Sequence, residues 1–401
     1  MLNTQFSPWP SFSQEEADAV IRVLLSNKVN YWTGSETRNF EKEFAQWVGT
    51  QYAVALSNGT LALDIALQAL DVGEGDEVIV TPRSFIASAS TVVNVGAIPV
   101  FADVEPDSGN ISARTIAPYI TDKTKAIICV HLAGWPCDMD AIMDLAKQHN
   151  LWVIEDCAQA HGAKYKGKSV GSIGHIGAWS FCQDKIMTTG GEGGMVTTND
   201  KTLWQKMWEF KDHGKNYDSV YHKKHPPGFR WLHDNFGTNW RMMEIQAVIG
   251  RIQLTRMAQW TQTRTQYANM LTEALLPFSS INGALLLPNS YFNTKLGADS
   301  VHAYYKYYVY LRPQNLPHGV TRDTILQVLN AQNIPCFSGT CPEIYLEKAF
   351  DNHSSKPKER LSTAKQLGEE SLMFLVHPSL TNEEMQQICN VIKQLFTSLS
   401  T

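Results

Sequence analysis

The sequence predicts an α/β protein: a large, mostly parallel sheet covered by helices on both faces, with a smaller α/β unit towards the C-terminal end. Three observations carry this expectation. Short apolar runs alternate with helix-forming stretches from Ala53 to Asp156, which is the repeated β-α-β signature. Those runs are continuously apolar, as strands buried on both faces must be. Beyond about residue 260 the pattern restarts on a smaller scale, and segments rich in proline, asparagine and glycine from Leu276 to Asp299 are expected to divide the two units.

With 401 residues the chain is long enough for a large core and for two domains. Hydrophobic residues make up 43% and charged residues 18%, the balance of an ordinary globular protein without low-complexity tracts. Lys and Arg total 34 against 39 for Asp and Glu, a net charge of -5. With a pI near 6.2 there is no broad basic field to hold nucleic acid. No apolar run approaches the ~20 residues that cross a bilayer. The opening Met1-Leu-Asn-Thr-Gln-Phe6 also lacks a basic stretch followed by an apolar one, so a cytoplasmic chain with no membrane partner is expected. The seven cysteines, at 129, 137, 157, 182, 336, 341 and 389, form no CxxC pair, and several fall in predicted strands. Reduced structural thiols are expected, and no metal.

Residues 1–30 read as an arm and a helix, in which Ser13 and Glu16 make a capping box and Ala19, Val20, Val23 and Leu24 an apolar stripe. Asn30-Tyr-Trp-Thr-Gly34 is a turn, and Phe40 to Val48 a second amphipathic helix. The aromatics of that turn suit either cover for a partner subunit or packing on their own domain. Residues 31–258 form the large domain. It opens with the strand Ala53-Val-Ala-Leu56, the turn Ser57-Asn-Gly-Thr60 and a helix from Leu61 to Leu70. Further strands are predicted over 77–80, 99–102, 125–130 and 151–154, separated by helices over 85–95, near 112–120 and over 138–149. No GxGxxG follows the first strand, which argues against a dinucleotide-binding domain. From Lys211 to Arg230 the chain turns polar and irregular. Met242, Ile245, Ile249, Ile252 and Met257 then recur at helical spacing in a long helix. The smaller unit, residues 259–401, contains a strand over 304–311, a helix over 322–330 and a closing helix over 382–399.

The stretch Trp179-Ser-Phe-Cys-Gln-Asp-Lys185-Ile-Met-Thr-Thr-Gly190-Gly-Glu-Gly-Gly194 places Lys185 on a sharp turn between two strands. A lysine in a loop is ordinarily solvated surface. Here apolar flanks would desolvate the amine into a nucleophile, and the glycines would let a ligand approach the backbone. The strand at 151–154 ends in Glu155-Asp156-Cys-Ala-Gln159-Ala-His161, and acidic groups at a strand's carboxyl end are where α/β sheets place ligands. Asp156 by itself also suits a helix cap after the strand. Opposite Lys185 across a bound ring it fits pyridoxal 5'-phosphate, with the amine on the aldehyde carbon as a Schiff base and the carboxylate on the pyridinium nitrogen. Ser57-Asn-Gly-Thr60, at a helix start, suits a phosphate or an ordinary N-cap. Phe85, just past a strand end, suits stacking on a cofactor ring or core packing. Lys223, Lys224 and Arg230, among aromatics, suit an anionic nucleotide or a solvated loop.

In order, and over nearly the whole chain, these pieces resemble the DegT/DnrJ/StrS family of sugar aminotransferases, which have the aspartate aminotransferase fold (type I) of pyridoxal phosphate enzymes. The likeness rests on Gly34 to Phe44, Ser57-Asn-Gly-Thr60, Val130-His-Leu-Ala-Gly134, Glu155 to Ala163, Ser180 to Lys185, Gly190 to Gly194, Gly237-Thr-Asn-Trp-Arg-Met242 and Val376-His-Pro-Ser-Leu380. It implies a seven-stranded type of large sheet and Lys185 as the Schiff-base lysine. Asp156 would sit on the ring nitrogen, Gln159 near the ring hydroxyl and Phe85 on the ring face. Gly59, Thr60 and Ser180 would hold the phosphate, which Asn239 of a neighbouring subunit would also reach, in an obligate homodimer. Thr33, His161, Lys223, Lys224 and Arg230 are the candidate substrate contacts, and Trp135 stands where relatives often carry a polar residue.

The implied reaction is a ping-pong transamination. L-glutamate leaves as 2-oxoglutarate, pyridoxamine 5'-phosphate is the intermediate, and a nucleotide-linked 4-keto-6-deoxy sugar is aminated for surface polysaccharide such as lipopolysaccharide O-antigen. A UDP-linked sugar acetylated on nitrogen at C2 is the expected acceptor, and a 3-keto sugar the near alternative. A sugar dehydratase on the same scaffold carries histidine where this chain has Lys185. A silent regulatory member would not need Lys185, Asp156 and Gln159 together.

Overall fold

A computed structural model describes residues 5–288 and 292–399. Helices α1 (Gln14–Leu25) and α2 (Glu36–Val48) lead into β1 (Tyr52–Leu56). The alternation then runs α3 (Gly59–Ala69), β2 (Glu77–Val80), α4 (Ala87–Asn94), β3 (Ile98–Phe101), the single turn α5 (Ala113–Ile116), β4 (Thr124–Val130), α6 (Met139–His149) and β5 (Trp152–Asp156). A small ribbon follows, β6 (Lys164–Tyr165) with β7 (Lys168–Ser169). After it, β8 (Ile176–Ser180) and β9 (Gly194–Thr198) complete a seven-stranded sheet in the order β1-β9-β8-β5-β4-β2-β3.

From β8 to β3 all neighbours pair in parallel, and β9 alone runs the other way, antiparallel to β8 and to β1. Long crossovers return the chain for parallel pairing, through helices everywhere but between β5 and β8, where the β6–β7 ribbon lies; the β8–β9 turn returns it reversed. Side-chain alternation divides each strand between two cores. Val54, Leu56, Val78, Val80 and Ile128 pack under α3, α4 and α7 (Lys201–Lys211). Ala53, Ala55, Ile79 and Ile127 face the opposite layer, which α2 and α6 help to build.

After the short α8 (Tyr217–Tyr221), the 32-residue α9 (Glu244–Leu275) crosses from one core to the other. Ala247 and Met257 pack against the large sheet, while Tyr267, Ala268, Leu271 and Leu275 belong to the second core. The expected boundary at residues 258 and 259 falls within this uninterrupted helix. The second core surrounds an antiparallel sheet in the order β10-β11-β13-β12, formed by β10 (Leu285–Leu286), β11 (Tyr307–Leu311), β12 (Cys336–Phe337) and β13 (Ser371–Phe374). Helices α11 (Arg322–Ala331) and α13 (Asn382–Leu399) complete that core, while α10 (Phe292–Leu296) and α12 (Ser362–Glu370) pack, with Tyr308 and Tyr310 of β11, in the cluster that includes Ile79 and Ile127 of the large sheet.

Several expectations are corrected. The 276–299 segment does more than divide the units: Leu285 pairs with Leu311 as β10, and Phe292 packs edge-on against Trp135 at 4.9 Å; residues 289–291 lie outside the described residues. The helix expected near 112–120 is one α turn followed by a 3₁₀ turn at Ala117–Tyr119, because Pro118 lacks the N–H that a continuing helix needs. The strand expected from Tyr304 begins at Tyr307, since Tyr304 takes a φ of 48°, outside strand geometry. The aromatic turn at 30–34 follows one of its two readings, with packing on its own chain. Tyr31 is buried and its hydroxyl accepts the Trp208 indole N–H at 3.0 Å, and the Trp32 ring lies 6.1 Å from that of Trp208. Among the described residues no helix is long and apolar enough to cross a membrane, and all seven cysteines are free.

Candidate active site

The turn between β8 and β9 is tied to itself: the Phe181 N–H donates to the Gly193 carbonyl at 2.8 Å, and the Lys185 N–H to the Cys182 carbonyl at 3.1 Å. The Trp9 indole N–H, from the N-terminal arm, donates to the Lys185 carbonyl at 2.8 Å. Lys185 Nζ lies 5.1 Å from the centre of the Tyr305 ring and 3.8 Å from Asp184 Oδ1, in a side chain 15% exposed. The Tyr305 hydroxyl donates to the other oxygen of Asp184. The amine is thus held near the surface, shielded by an aromatic ring from the segment that leads into β11.

Asp156 ends β5, beside β8, with its carboxylate buried. Ser88 Oγ donates to Oδ2 at 2.8 Å and the Ala158 N–H to Oδ1 at 3.1 Å. Burial pushes this carboxyl up, while the two hydrogen bonds and the charge of Lys185 act against that rise. The two groups therefore sit in one electrostatic site at the carboxyl edge of the large sheet. Gln159 is buried close by, with Oε1 accepting the Ala133 N–H at 2.8 Å, which leaves its amide NH₂ for another partner. Ala133 holds a φ of 56°, an unusual conformation for a residue other than glycine, and that bond secures it.

Glu155 points away from this edge. Its oxygens accept the N–H groups of Gly171, Ile173 and Gly174 and face His131 Nε2 at 3.0 Å. His131 Nδ1 accepts the Cys137 N–H at 3.0 Å, so Nε2 carries the ring proton. Although His131, Glu155 and Cys157 offer ligand atoms within 4.8 Å of one another, the carboxylate is already filled by four donors and serves to anchor the loop at 170–174.

A second cradle forms where α3 begins. Asn58 caps the helix by accepting the Leu61 N–H at 3.0 Å, and the N–H groups of Gly59 and Thr60 have no carbonyl to meet within the helix. A Cβ on Gly59 would lie 2.4 Å from Ser180 Cβ, and one on Gly194 would lie 2.1 Å from the Asn58 carbonyl oxygen. The helix start is thus seated flush on the ends of β8 and β9, with Ser180 beside the positive end of its dipole. Phe85 is 64% exposed, so it is not a core residue, and it opens the turn into α4 that carries Ser88.

The remaining candidates lie apart from these. Thr33 is exposed, with Oγ1 bonded to the Asn30 carbonyl at 3.3 Å. Asn239 is exposed and bridges backbone to backbone with Asp212. Lys223, Lys224 and Arg230 are exposed on a segment that also displays Phe229, Trp231 and a fully solvent-facing Phe236. His161 requires a correction: it is fully buried, its ring 5.2 Å from that of Trp179 and 5.5 Å from that of Phe181, with neither nitrogen hydrogen-bonded. Burial, with the charges of Lys185 and Arg264, pushes its imidazole down to about 3, so it is a neutral core ring and not a surface for substrate.

Sequence reasoning missed Ser88, Trp9, Asp184 and Tyr305. Ser88 stands one helical turn beyond Phe85, which is the one signal that it shares a face with the site. Trp9 and Tyr305 come from distant segments and give none.

The sequence profile of the DegT/DnrJ/EryC1/StrS aminotransferase family matches residues 10–393. A GDP-perosamine synthase of Escherichia coli O157:H7 is 36% identical over 392 residues, 97% of this chain and 97% of that protein. A UDP-N-acetyl-3-dehydro-alpha-D-glucosamine 3-aminotransferase of Acidithiobacillus ferrooxidans is 36% identical over 393 residues, 98% of this chain and 96% of that protein. Among solved structures, an aminotransferase from Psychrobacter cryohalolentis matches with a TM-score of 0.97 and 64% identity, over 99% of this chain and 100% of that one.

Proposed function

The chain belongs to the DegT/DnrJ/EryC1/StrS aminotransferase family, and from that membership we propose that it moves an amino group from L-glutamate to C4 of a nucleotide-linked 4-keto-6-deoxy sugar. It is a pyridoxal phosphate-dependent aminotransferase of sugar nucleotides. The observation that carries the chemistry is the pairing, at one sheet edge, of the shielded amine of Lys185 with the buried carboxylate of Asp156. The 4-keto-6-deoxy acceptor, UDP-linked and acetylated on nitrogen at C2, is supported by the ordered family motifs alone. A 3-keto acceptor is the second reading, favoured by the 36% identity to a protein named as a 3-aminotransferase.

The residues fit the cofactor. Asp156 has a carboxylate kept from water, α3 begins against Ser180 with no room for a side chain at Gly59, and Phe85 leaves an aromatic face open. Gly59, Thr60 and Ser180 would hold the phosphate, Gln159 the ring hydroxyl and Phe85 the ring face. When bound, pyridoxal phosphate supplies an electron-withdrawing ring that takes up the electron pair left when a carbon beside the amino group loses a proton.

The chain's own groups do the rest. Asp156, as a carboxylate, keeps a proton on the ring nitrogen. Lys185 Nζ takes the proton from the α-carbon of glutamate and, in the return half-reaction, delivers one to the sugar carbon that receives the amine. The Tyr305 ring limits water around that amine, and Trp9 holds the backbone of the turn that carries it. Asn239 and the exposed Lys223, Lys224 and Arg230 are assigned to a homodimer, in which Asn239 reaches the phosphate of the second subunit and the basic segment meets the sugar diphosphate.

Turnover of a panel of keto sugar nucleotides with L-glutamate, with products identified by NMR, tests this reading. A 4-amino product is expected. An amine at C3 replaces the first reading with the second, and glutamate turnover without any aminated sugar removes both.

A further inference from the structure

Beside Lys185 the structure gathers more positive charge than the amine-transfer chemistry requires. Lys306, the residue before β11, is partly buried with its Nζ 4.8 Å from the centre of the Tyr305 ring, the same ring that Lys185 Nζ approaches to 5.1 Å. Arg264 of α9 is fully buried. One of its terminal nitrogens donates to the carbonyls of Tyr304 at 3.2 Å and Tyr305 at 3.4 Å, and its Nε has no hydrogen-bond partner. The Trp9 ring covers its guanidinium at 5.2 Å.

The groups facing Lys306 are Lys185, Arg264, His377 and Asp184. Among the described residues Asp184 is the one carboxylate in this set, and it is shared with Lys185 and with the Tyr305 hydroxyl. His377 is neutral, its imidazole pushed down to about 3 by burial and by Arg264 and Lys306. Three basic side chains thus gather about Asp184, and Asp156, the other carboxylate that Lys185 meets, is the one assigned to the ring nitrogen. Burial, with Arg264 and Lys185 adding to it and Asp184 opposing, pushes the Lys306 amine down to about 8. Positive charge left without enough counter-charge in a desolvated place destabilises a fold, and it is kept where a ligand supplies the missing negative group.

We propose that Lys306 binds a carboxylate group of the amino donor, placing L-glutamate beside Lys185, with the buried Arg264 strengthening the positive field behind it. A dicarboxylate brings the negative charge that Asp184 alone does not supply, and a charge-assisted N–H···O contact fixes the donor's position as well as its affinity. The proposal rests on the reading of L-glutamate as donor.

The test separates the two half-reactions of the holoenzyme. L-glutamate is added without a sugar, and discharge of the visible absorption band of the bound cofactor is followed as a function of glutamate concentration. The return half-reaction is then followed against keto sugar concentration. In Lys306→Met the glutamate concentration for half-maximal rate should rise about 10- to 100-fold, the worth of one hydrogen bond to a charged group. Lys306→Arg, which keeps the charge, should stay within about threefold of wild type, and half-saturation by the sugar should be unchanged in both. Lys306→Gln gives a second neutral variant if the methionine form loses the visible band. Unchanged glutamate saturation in a neutral variant overturns the proposal. So does an equal loss in both half-reactions, which would mean that Lys306 acts through Lys185. Failure of wild type to discharge its band with glutamate would instead refute the donor reading, and discharge without sugar amination would refute the sugar reading alone.

Discussion

Asp156 can keep a proton on a ring nitrogen only as a carboxylate, yet burial favours its neutral form. The Ser88 hydroxyl and the Ala158 N–H, with Lys185 nearby, oppose that rise and favour the charged form. Asp156→Asn should therefore retain cofactor and lose on the order of 10²- to 10³-fold in kcat, the cost of removing one preorganised electrostatic partner. Lys185→Ala should show no visible cofactor band and no turnover, read by absorbance and by glutamate consumption. Ser88→Ala leaves the acid in place but takes away one donor, so a loss of about tenfold is expected, the worth of one hydrogen bond to a charged group. A Ser88→Ala enzyme with wild-type kcat would show that the hydroxyl is not needed to hold the charge. Lys185 and Asp156 stand out in the sequence because each sits in a short run whose chemistry is local, whereas Gln159 enters through the family resemblance. Ser88 lay hidden in Ala-Ser-Ala-Ser, and Trp9, 176 residues from the carbonyl it bonds, acquires its role only by tertiary contact.

The start of α3 and the β8–β9 turn are fitted to each other at the scale of elements. A methyl group on Gly59 would meet Ser180 at 2.4 Å, so either the helix start or the end of β8 has to move. Gly59→Ala should cost about 1–3 kcal/mol in unfolding free energy, as overpacking does. It should also weaken cofactor retention, measured by reconstitution with pyridoxal phosphate followed by absorbance; full retention with wild-type stability would show that this contact does not shape the phosphate cradle. On the exposed segment, Lys223→Ala combined with Lys224→Ala should raise the KM for the sugar nucleotide about tenfold and leave the glutamate half-reaction unchanged. An unchanged KM would refute that assignment. Strand positions were readable at this scale because a buried parallel strand is an apolar run with little ambiguity. What was not readable were the places where one residue overrides a pattern, as Pro118 does in ending α5 and Tyr304 in delaying β11. Nor does polarity reveal that part of the 276–299 segment pairs as β10, because a two-residue strand has no periodicity to read.

At the scale of the whole molecule, burial lowers the imidazoles of three of the deeply buried histidines. His161 lies against Trp179 and Phe181, His302 stacks on Tyr304 at 4.0 Å, and His377 stacks on Trp9 at 6.0 Å. Burial pushes each imidazole down to about 3 from an ordinary value of 6.5, helped at His161 and His377 by neighbouring cations. The folded chain therefore holds these rings neutral where the unfolded chain protonates them, and the unfolded state binds more protons between pH 6.5 and 3. Stability from this source is fully present above pH 6.5 and is lost as pH falls towards 3, at about 1.4 kcal/mol per pH unit for each group. Urea unfolding measured from pH 7.5 down to 4 should show that slope. His161 isolates one share of it: both its nitrogens lack partners, so His161→Phe leaves nothing unpaired and removes one proton-binding site. The variant should lose stability less steeply than wild type below pH 6.5, by about 1.4 kcal/mol per unit, so that its relative stability rises as the solution is acidified. Parallel curves for the two proteins would mean that His161 is already protonated in the fold, and that the aromatic cluster of Trp179 and Phe181 tolerates a charge.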